Sequence, residues 1–214
     1  MNVEKSLEQL ETLITQQRTN EIEGFLLEKI EDSASQEDIG SLITLMNELI
    51  GYYRESGEFE KALGYCREVL QVAAQAGLAG TIPYATTLLN VANTCREGGL
   101  VREAMVHYQE VRGIYINNIE DTDFRYVNLY NGMGMLFQDM GDYESACDCM
   151  ERALSIAMLY QEARVEIAIV YTSLATCQLK LMRYQEAIGN LRHAFALFEK
   201  DEERDYHYSG ALSA

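Results

Sequence analysis

The sequence predicts an all-α protein made of antiparallel helix pairs, and three observations carry that prediction. The 214 residues hold one proline and no tryptophan, so almost nothing interrupts a helix. Apolar residues recur at helical spacing, as Tyr130, Met133, Gly134 and Phe137 do. Four segments also align on Ala62, Ala104, Ala146 and Ala187, which lie 42, 42 and 41 residues apart.

Residues 1–40 open the chain with a shorter hairpin. Val3, Leu7, Leu10 and Ile14 mark one apolar stripe in residues 3–17, and Ile22, Phe25, Leu26 and Ile30 mark another in 21–32. The segment lacks the turn glycine and the alanine of the later units, so it is expected to be a degenerate cap covering the first apolar face.

Four full periods follow, at 41–80, 81–120, 121–161 and 162–203, each a helix, a tight turn and a second helix. The first helices read LMNELIGYYRES, LLNVANTCREG, YNGMGMLFQDM and YTSLATCQLKL. Their stripes are Met46, Leu49, Ile50 and Tyr53; Leu88, Val91, Ala92 and Cys95; the third set named above; and Tyr171, Leu174, Ala175 and Gln178. The second helices begin at GEFEKALGYCREVL, GLVREAMVHYQEVR, GDYESACDCMERAL and MRYQEAIGNLRHAF. Within residues 204–214, DYHYSGALSA from Asp205 resembles the start of another first helix with no partner. Truncation of a fifth unit is the expectation there.

The joints have mechanical reasons. Gly57, Gly99 and Gly141 stand where a left-handed residue closes one helix before the next. Met182 breaks that rule, so the fourth turn is expected to be strained or differently shaped. The aligned alanines are small where two helices cross, with Ala92, Gly134 and Ala175 opposite them, and Ile50 suggests looser packing in the first pair. Thr81-Ile82-Pro83, Asp121-Thr122-Asp123 and Asp201 to Asp205 offer caps for the next helices.

Charge excludes some functions. With 34 acidic and 17 basic side chains, the net charge is −17, which disfavours nucleic acid as a partner. Residues 1–40 alone carry ten acids against three bases, read as a solvated end. No run of about 18 uncharged apolar residues suits a membrane span. The N-terminus has no leader pattern and the five cysteines are an odd, scattered set, which together favour a cytoplasmic, reduced chain.

The periodic pattern resembles the tetratricopeptide repeat (TPR). Tyr130, Met133, Gly134, Phe137, Gly141, Tyr143 and Ala146 match its signature best, with Tyr in the place of Trp. The period of about 42 is similar to the longer repeats of kinesin light chains, and the resemblance covers residues 43 to 200. It implies a right-handed α-α superhelix whose concave wall is built from the first helix of each repeat, and a role in binding other proteins or peptides.

A helical wheel then selects the wall residues. They are Thr44, Asn47, Glu48, Gly51 and Glu55 with Arg54 at the shoulder; Thr86, Leu89, Asn90, Asn93 and Glu97 with Arg96; Asn128, Asn131, Gly132, Met135 and Asp139 with Gln138; and Ile169, Thr172, Ser173, Thr176 and Lys180. Asparagine both donates and accepts, so it can grip the backbone of an extended segment. The partner-binding set expected from this is Asn47, Arg54, Asn90, Asn93, Arg96, Asn128, Asn131, Met135, Gln138, Thr172, Thr176 and Lys180. The inward places do not hold the Lys/Arg of a carboxylate clamp, and the acidic surroundings favour a neutral or basic partner.

Chemistry finds little support. No Gly-rich phosphate loop, HExxH or CxxC pair is present. Gly132 and Gly134 lie inside a helix, where packing explains them. Cys147 and Cys149 are about 200° apart on a helix, so both thiols cannot face one metal ion. His107, His193 and His207 are isolated. No catalytic residue, metal or cofactor is expected, and the reading is a non-enzymatic interaction scaffold that binds an extended protein or peptide segment. Two alternatives are a peptide-sensing module similar to quorum-sensing receptors and a TPR module of a longer catalytic chain. The unfinished C-terminal repeat also offers a surface for self-association.

Overall fold

The computed structural model describes residues 2–160 and 162–198. The described residues form ten α-helices in five successive pairs: α1 (Val3–Thr15) with α2 (Thr19–Ser35), α3 (Ile39–Glu55) with α4 (Phe59–Gln75), α5 (Ile82–Glu97) with α6 (Val101–Asn118), α7 (Arg125–Asp139) with α8 (Tyr143–Ala157), and α9 (Arg164–Lys180) with α10 (Tyr184–Phe198). They fall into two compact units, Met1–Ile114 and Tyr115–Ala214. The expected caps at Asp201 to Asp205, the half-repeat at 204–214 with its self-association surface, and His207 lie outside the described residues.

The turns within the pairs share one hydrogen-bonded form. At Gly57 the backbone N–H donates to Arg54 O at 3.1 Å and the next N–H, of Glu58, reaches back to Tyr53 O at 2.8 Å. Gly99 and Gly141 repeat this pattern, and all three glycines have φ between 75° and 78°. Such a left-handed residue closes the helix by satisfying its last carbonyls. Met182 makes the same two bonds, to Leu179 O and from Arg183 N–H to Gln178 O, at φ 60°. The fourth turn is therefore not differently shaped; the methionine carries the strain of a left-handed L-residue. Gln17 and Glu37 do the same at the ends of α1 and α2.

In the first unit, α3 packs against α2, α4 and α5. Leu10, Ile22 and Leu26 of the N-terminal hairpin share a core cluster with Leu45, Leu49, Tyr53 and Ala62, so the hairpin covers the apolar face of α3. On the other side, Tyr53 Oη donates to Glu23 Oε1 at 2.7 Å and Lys61 Nζ donates to the same oxygen at 3.0 Å. Thr81 caps α5 as expected, accepting from Tyr84 N–H, with Pro83 in the first turn.

The second unit holds α7 to α10. Asp142 caps α8 by accepting from Ser145 N–H. Of the expected cap at 121–123, Asp123 accepts from Arg125 N–H at 2.9 Å. Phe124, which immediately precedes α7, makes no side-chain cap bond; its ring meets Tyr160 edge-on at 5.1 Å.

The aligned alanines explain themselves through burial. Ala62, Ala104, Ala146 and Ala187 are all 0% exposed, as are Ala92, Ala175 and Ile50. Ile50 is thus covered as fully as its smaller counterparts. At Gly134 the contact is closest: a Cβ built there would lie 2.6 Å from Met150 Cε. Gln178 is the one polar member of the core stripes; its side chain accepts from Asn190 Nδ2 at 2.8 Å and donates to Glu186 at 3.4 Å.

Candidate functional site

In the first unit the wall residues sit on α3 and α5, and one amide ladder fixes them. Asn90 Nδ2 donates to Asn47 Oδ1 at 3.1 Å. Asn47 Nδ2 donates to Ile43 O and to Thr87 Oγ1, both at 3.0 Å. Thr87 is buried, at 2% exposure, so its hydroxyl needs that internal partner. The two asparagines are held in one orientation before any partner arrives. Among the described residues Asn90 engages a single amide proton in this ladder, and its oxygen and second proton meet no partner.

Other expected site residues have internal duties. Asn93 Oδ1 accepts from the buried Tyr108 hydroxyl at 2.6 Å, a short bond that joins α5 to α6. Arg54 Nε meets Glu97 Oε2 at 3.2 Å, and Arg96 Nη2 meets Glu97 Oε1 at 2.8 Å. One carboxylate thus gathers both guanidinium groups at the C-terminal ends of α3 and α5.

The second unit repeats the theme with different residues. Gln138 Nε2 on α7 donates to Ser173 O at 3.1 Å and lies 2.7 Å from Cys177 Sγ on α9. Thr172 and Thr176 hydroxyls donate to carbonyls of their own helix, Ala168 O and Thr172 O. Asn128 and Lys180 are exposed, while Asn131 and Met135 are half-buried. Asn131 Oδ1 is buried with no hydrogen-bond partner, an acceptor whose desolvation is uncompensated.

Two wall assignments need correction. Leu89 and Gly132 are buried in the packing between helices and do not face outward. A first helix of an array has neighbours on three sides, so its buried arc is wider than the single stripe a wheel defines.

Two grooves lie beside these residues in the first unit. One, of about 420 Å3, runs between α3 and α5 and is lined by Thr44, Asn47, Glu48, Thr86, Thr87 and Asn90 among others. The second, of about 450 Å3, lies between the N-terminal hairpin and α3, with Ile14, Ile22, Leu26, Glu48, Gly51 and Glu55 on its walls. Glu48 borders both. Burial, and then the like charge of Glu55, push its carboxyl above the usual carboxylate range. The wheel puts Glu48, Gly51 and Glu55 on the wall, but the facing side of this second groove is not legible in the sequence: Ile14, part of an apolar stripe, stays 56% exposed.

The five cysteines are buried free thiols. Burial pushes Cys66 up to about 11 and Cys147 up to about 12, which suits packing and disfavours the thiolate. Among the described residues no three of His, Cys, Asp and Glu gather where a metal ion would be held. Among them, too, no helix is long and apolar enough to cross a membrane.

Comparison with known proteins places this geometry. Residues 41–117 and 125–200 match the tetratricopeptide repeat family. The chain is similar in structure to BtubC (BKLC) from P. vanneervenii, with a TM-score of 0.78 at 19% identity over 95% of this chain and 83% of that one. It is also similar to a protein of Podosopora anserina described as a kinesin light chain with nearly identical TPR-like repeats, with a TM-score of 0.70 at 15% identity over 94% and 97% of the two chains. MamA superposes less closely, with a TM-score of 0.53 at 14% identity over 85% and 94%. No curated protein matches the sequence. These likenesses show the fold, an all-α superhelix of helical repeats.

Proposed function

The chain belongs to the tetratricopeptide repeat family, and from that premise we propose that it is a non-enzymatic scaffold whose first-helix wall docks an extended protein segment. Repeats of this family are generally protein-interaction scaffolds and typically non-catalytic. The observation that carries the reading is the groove between α3 and α5, where the bonds from Asn90 to Asn47 and from Asn47 to Thr87 hold amide groups in place at its edge. Amides fixed in advance lose little side-chain freedom when they meet a peptide backbone. A backbone offers donors and acceptors whatever its sequence, and among the described residues Asn90 has both unused.

The occupant is neutral or basic. Arg54 and Arg96 are matched internally by Glu97, while Glu48 at the groove carries a carboxyl without an ion pair among the described residues. An acidic segment would meet that charge unfavourably.

Selection of a random dodecapeptide display library on the immobilised full chain tests the reading. Selected peptides should compete with one another and lose at least tenfold in affinity against the Thr86→Arg, Asn90→Ala variant. Equal capture by a variant that retains its helical circular dichroism would sink the proposal.

A further inference from the structure

The groove between the N-terminal hairpin and α3 joins open space over a helical glycine, two carboxylates and an apolar rim. Gly51 stands in the interior of α3, where alanine would make the better helix. A Cβ there would meet nothing within 4 Å. Gly134 differs, since Met150 fills the space above it. Open space of this kind recurs over Gly24, Gly64, Gly113 and Gly189; Gly51 is the glycine on the wall of this groove.

Glu48 and Glu55 stand one turn on either side of Gly51, on the same face. Among the described residues neither carboxylate has a cationic partner, and the nearest guanidinium in sequence, that of Arg54, is held by Glu97. The opposite wall is apolar, with Ile22 and Leu26 buried and Ile14 exposed at the rim.

We propose that this groove is an anchor pocket for an extended peptide in which a bulky aliphatic residue is flanked by lysine or arginine. The aliphatic side chain lies over Gly51 against the exposed Ile14, with the core residues Ile22 and Leu26 behind it, and the basic group sits between Glu48 and Glu55. Two like charges with no cationic partner among the described residues, beside the exposed apolar Ile14, are complementary to that chemistry and to no acidic or purely polar segment. The inference rests on the wall being a docking surface and adds where its specificity resides: Glu48 borders both grooves, so a chain crossing α3 there passes from one into the other.

Fluorescence anisotropy with three labelled peptides and the full chain tests it. The first has a Gly-Ser-Arg-Leu-Lys-Leu-Gly-Ser core, the second replaces Arg and Lys with Glu, and the third replaces both Leu residues with Ser. The first peptide should bind at least tenfold more tightly than the others and weaken as salt rises from about 50 to 300 mM. Glu48→Gln with Glu55→Gln should lower its affinity at least fivefold and flatten the salt dependence. Gly51→Leu, which fills the groove, should abolish binding while the melting temperature holds or rises.

Binding that survives Gly51→Leu but falls with Asn90→Ala would overturn this anchor and leave the α3–α5 docking surface standing. Equal affinity for all three peptides, or no binding of any, would overturn the anchor as well. So would a dimer in sedimentation velocity that Gly51→Leu dissociates, because a second copy would then be the occupant.

Discussion

Asn90 on α5 donates its amide to Asn47 on α3 at 3.1 Å, joining the first helices of two successive repeats at positions one residue out of register, 43 residues apart. Asn47 passes the connection on to Thr87 and to its own helix at Ile43. A residue chosen on a helical wheel as a free peptide contact is therefore the middle member of an internal network, and Asn90 is its terminus.

That order of roles predicts an order of costs. Asn47→Ala leaves the buried Thr87 hydroxyl without its donor and Asn90 without its acceptor, and should destabilise the fold by about 1–2 kcal/mol. Asn90→Ala removes one half-exposed bond and should cost about 0.5–1 kcal/mol. Urea unfolding of the two single variants and the double variant would show coupling of about 0.5 kcal/mol or more; strictly additive costs would refute the network.

Met182 holds a conformation that glycine adopts freely. Replacing it with glycine relieves the steric cost of a left-handed L-residue and loses little burial, because the side chain is 74% exposed. Met182→Gly should therefore stabilise the chain by about 0.5–1 kcal/mol, after the extra freedom of glycine in the unfolded state is deducted. The reverse exchange, Gly141→Ala, should cost about 1 kcal/mol. Thermal and urea midpoints of both variants check the pair.

Gly134 presents the opposite case, because the space above it is taken. Gly134→Ala improves helix propensity by about 1 kcal/mol but drives a methyl group into buried Met150, an overpacking that costs about 1–3 kcal/mol. A net loss of about 1 kcal/mol is expected. Combining it with Met150→Leu, which removes the terminal methyl, should recover part of that loss. A single variant as stable as the parent would mean that Met150 swings aside without cost.

Glu48 sets a dependence on pH. Its folded carboxyl titrates above the ordinary glutamate range, first through burial and then through Glu55. A raised folded value means that the charged form is disfavoured by folding, so the associated stability is full at low pH and is lost as pH rises through the folded value. Glu48→Gln should thus be more stable than the parent at pH 7. The advantage should shrink on acidification and vanish below about pH 4, where both folded and unfolded carboxyls are protonated. Parallel urea curves at pH 7 and pH 4 give the answer, and an unchanged gap would exclude Glu48 as its source.

How much was legible in the sequence follows from what each feature depends on. The repeat was readable because Ala62, Ala104, Ala146 and Ala187 each face a neighbouring helix, so spacing alone reveals them. The turn glycines were readable because left-handed geometry is a local requirement. Leu89 and Gly132 were misplaced because their burial comes from neighbouring helices, whose distance no wheel contains. The internal bonding of Asn93 and Gln138 was hidden for the same reason, since their partners Tyr108 and Ser173 stand 15 and 35 residues away. The groove beside Gly51 needed three helices to be placed together; the wheel supplied Glu48, Gly51 and Glu55 from one side, while Ile14 on the other reads as part of an apolar stripe.

The joints at Gln17, Glu37, Gly57, Gly99, Gly141 and Met182 are all closed by main-chain atoms. Side-chain identity tunes the energy of such a bend without changing its hydrogen-bond pattern. Repeats of this protein can therefore drift at the hinge while their helices keep their crossing, and a tally of glycines will undercount the units that an array of this kind contains.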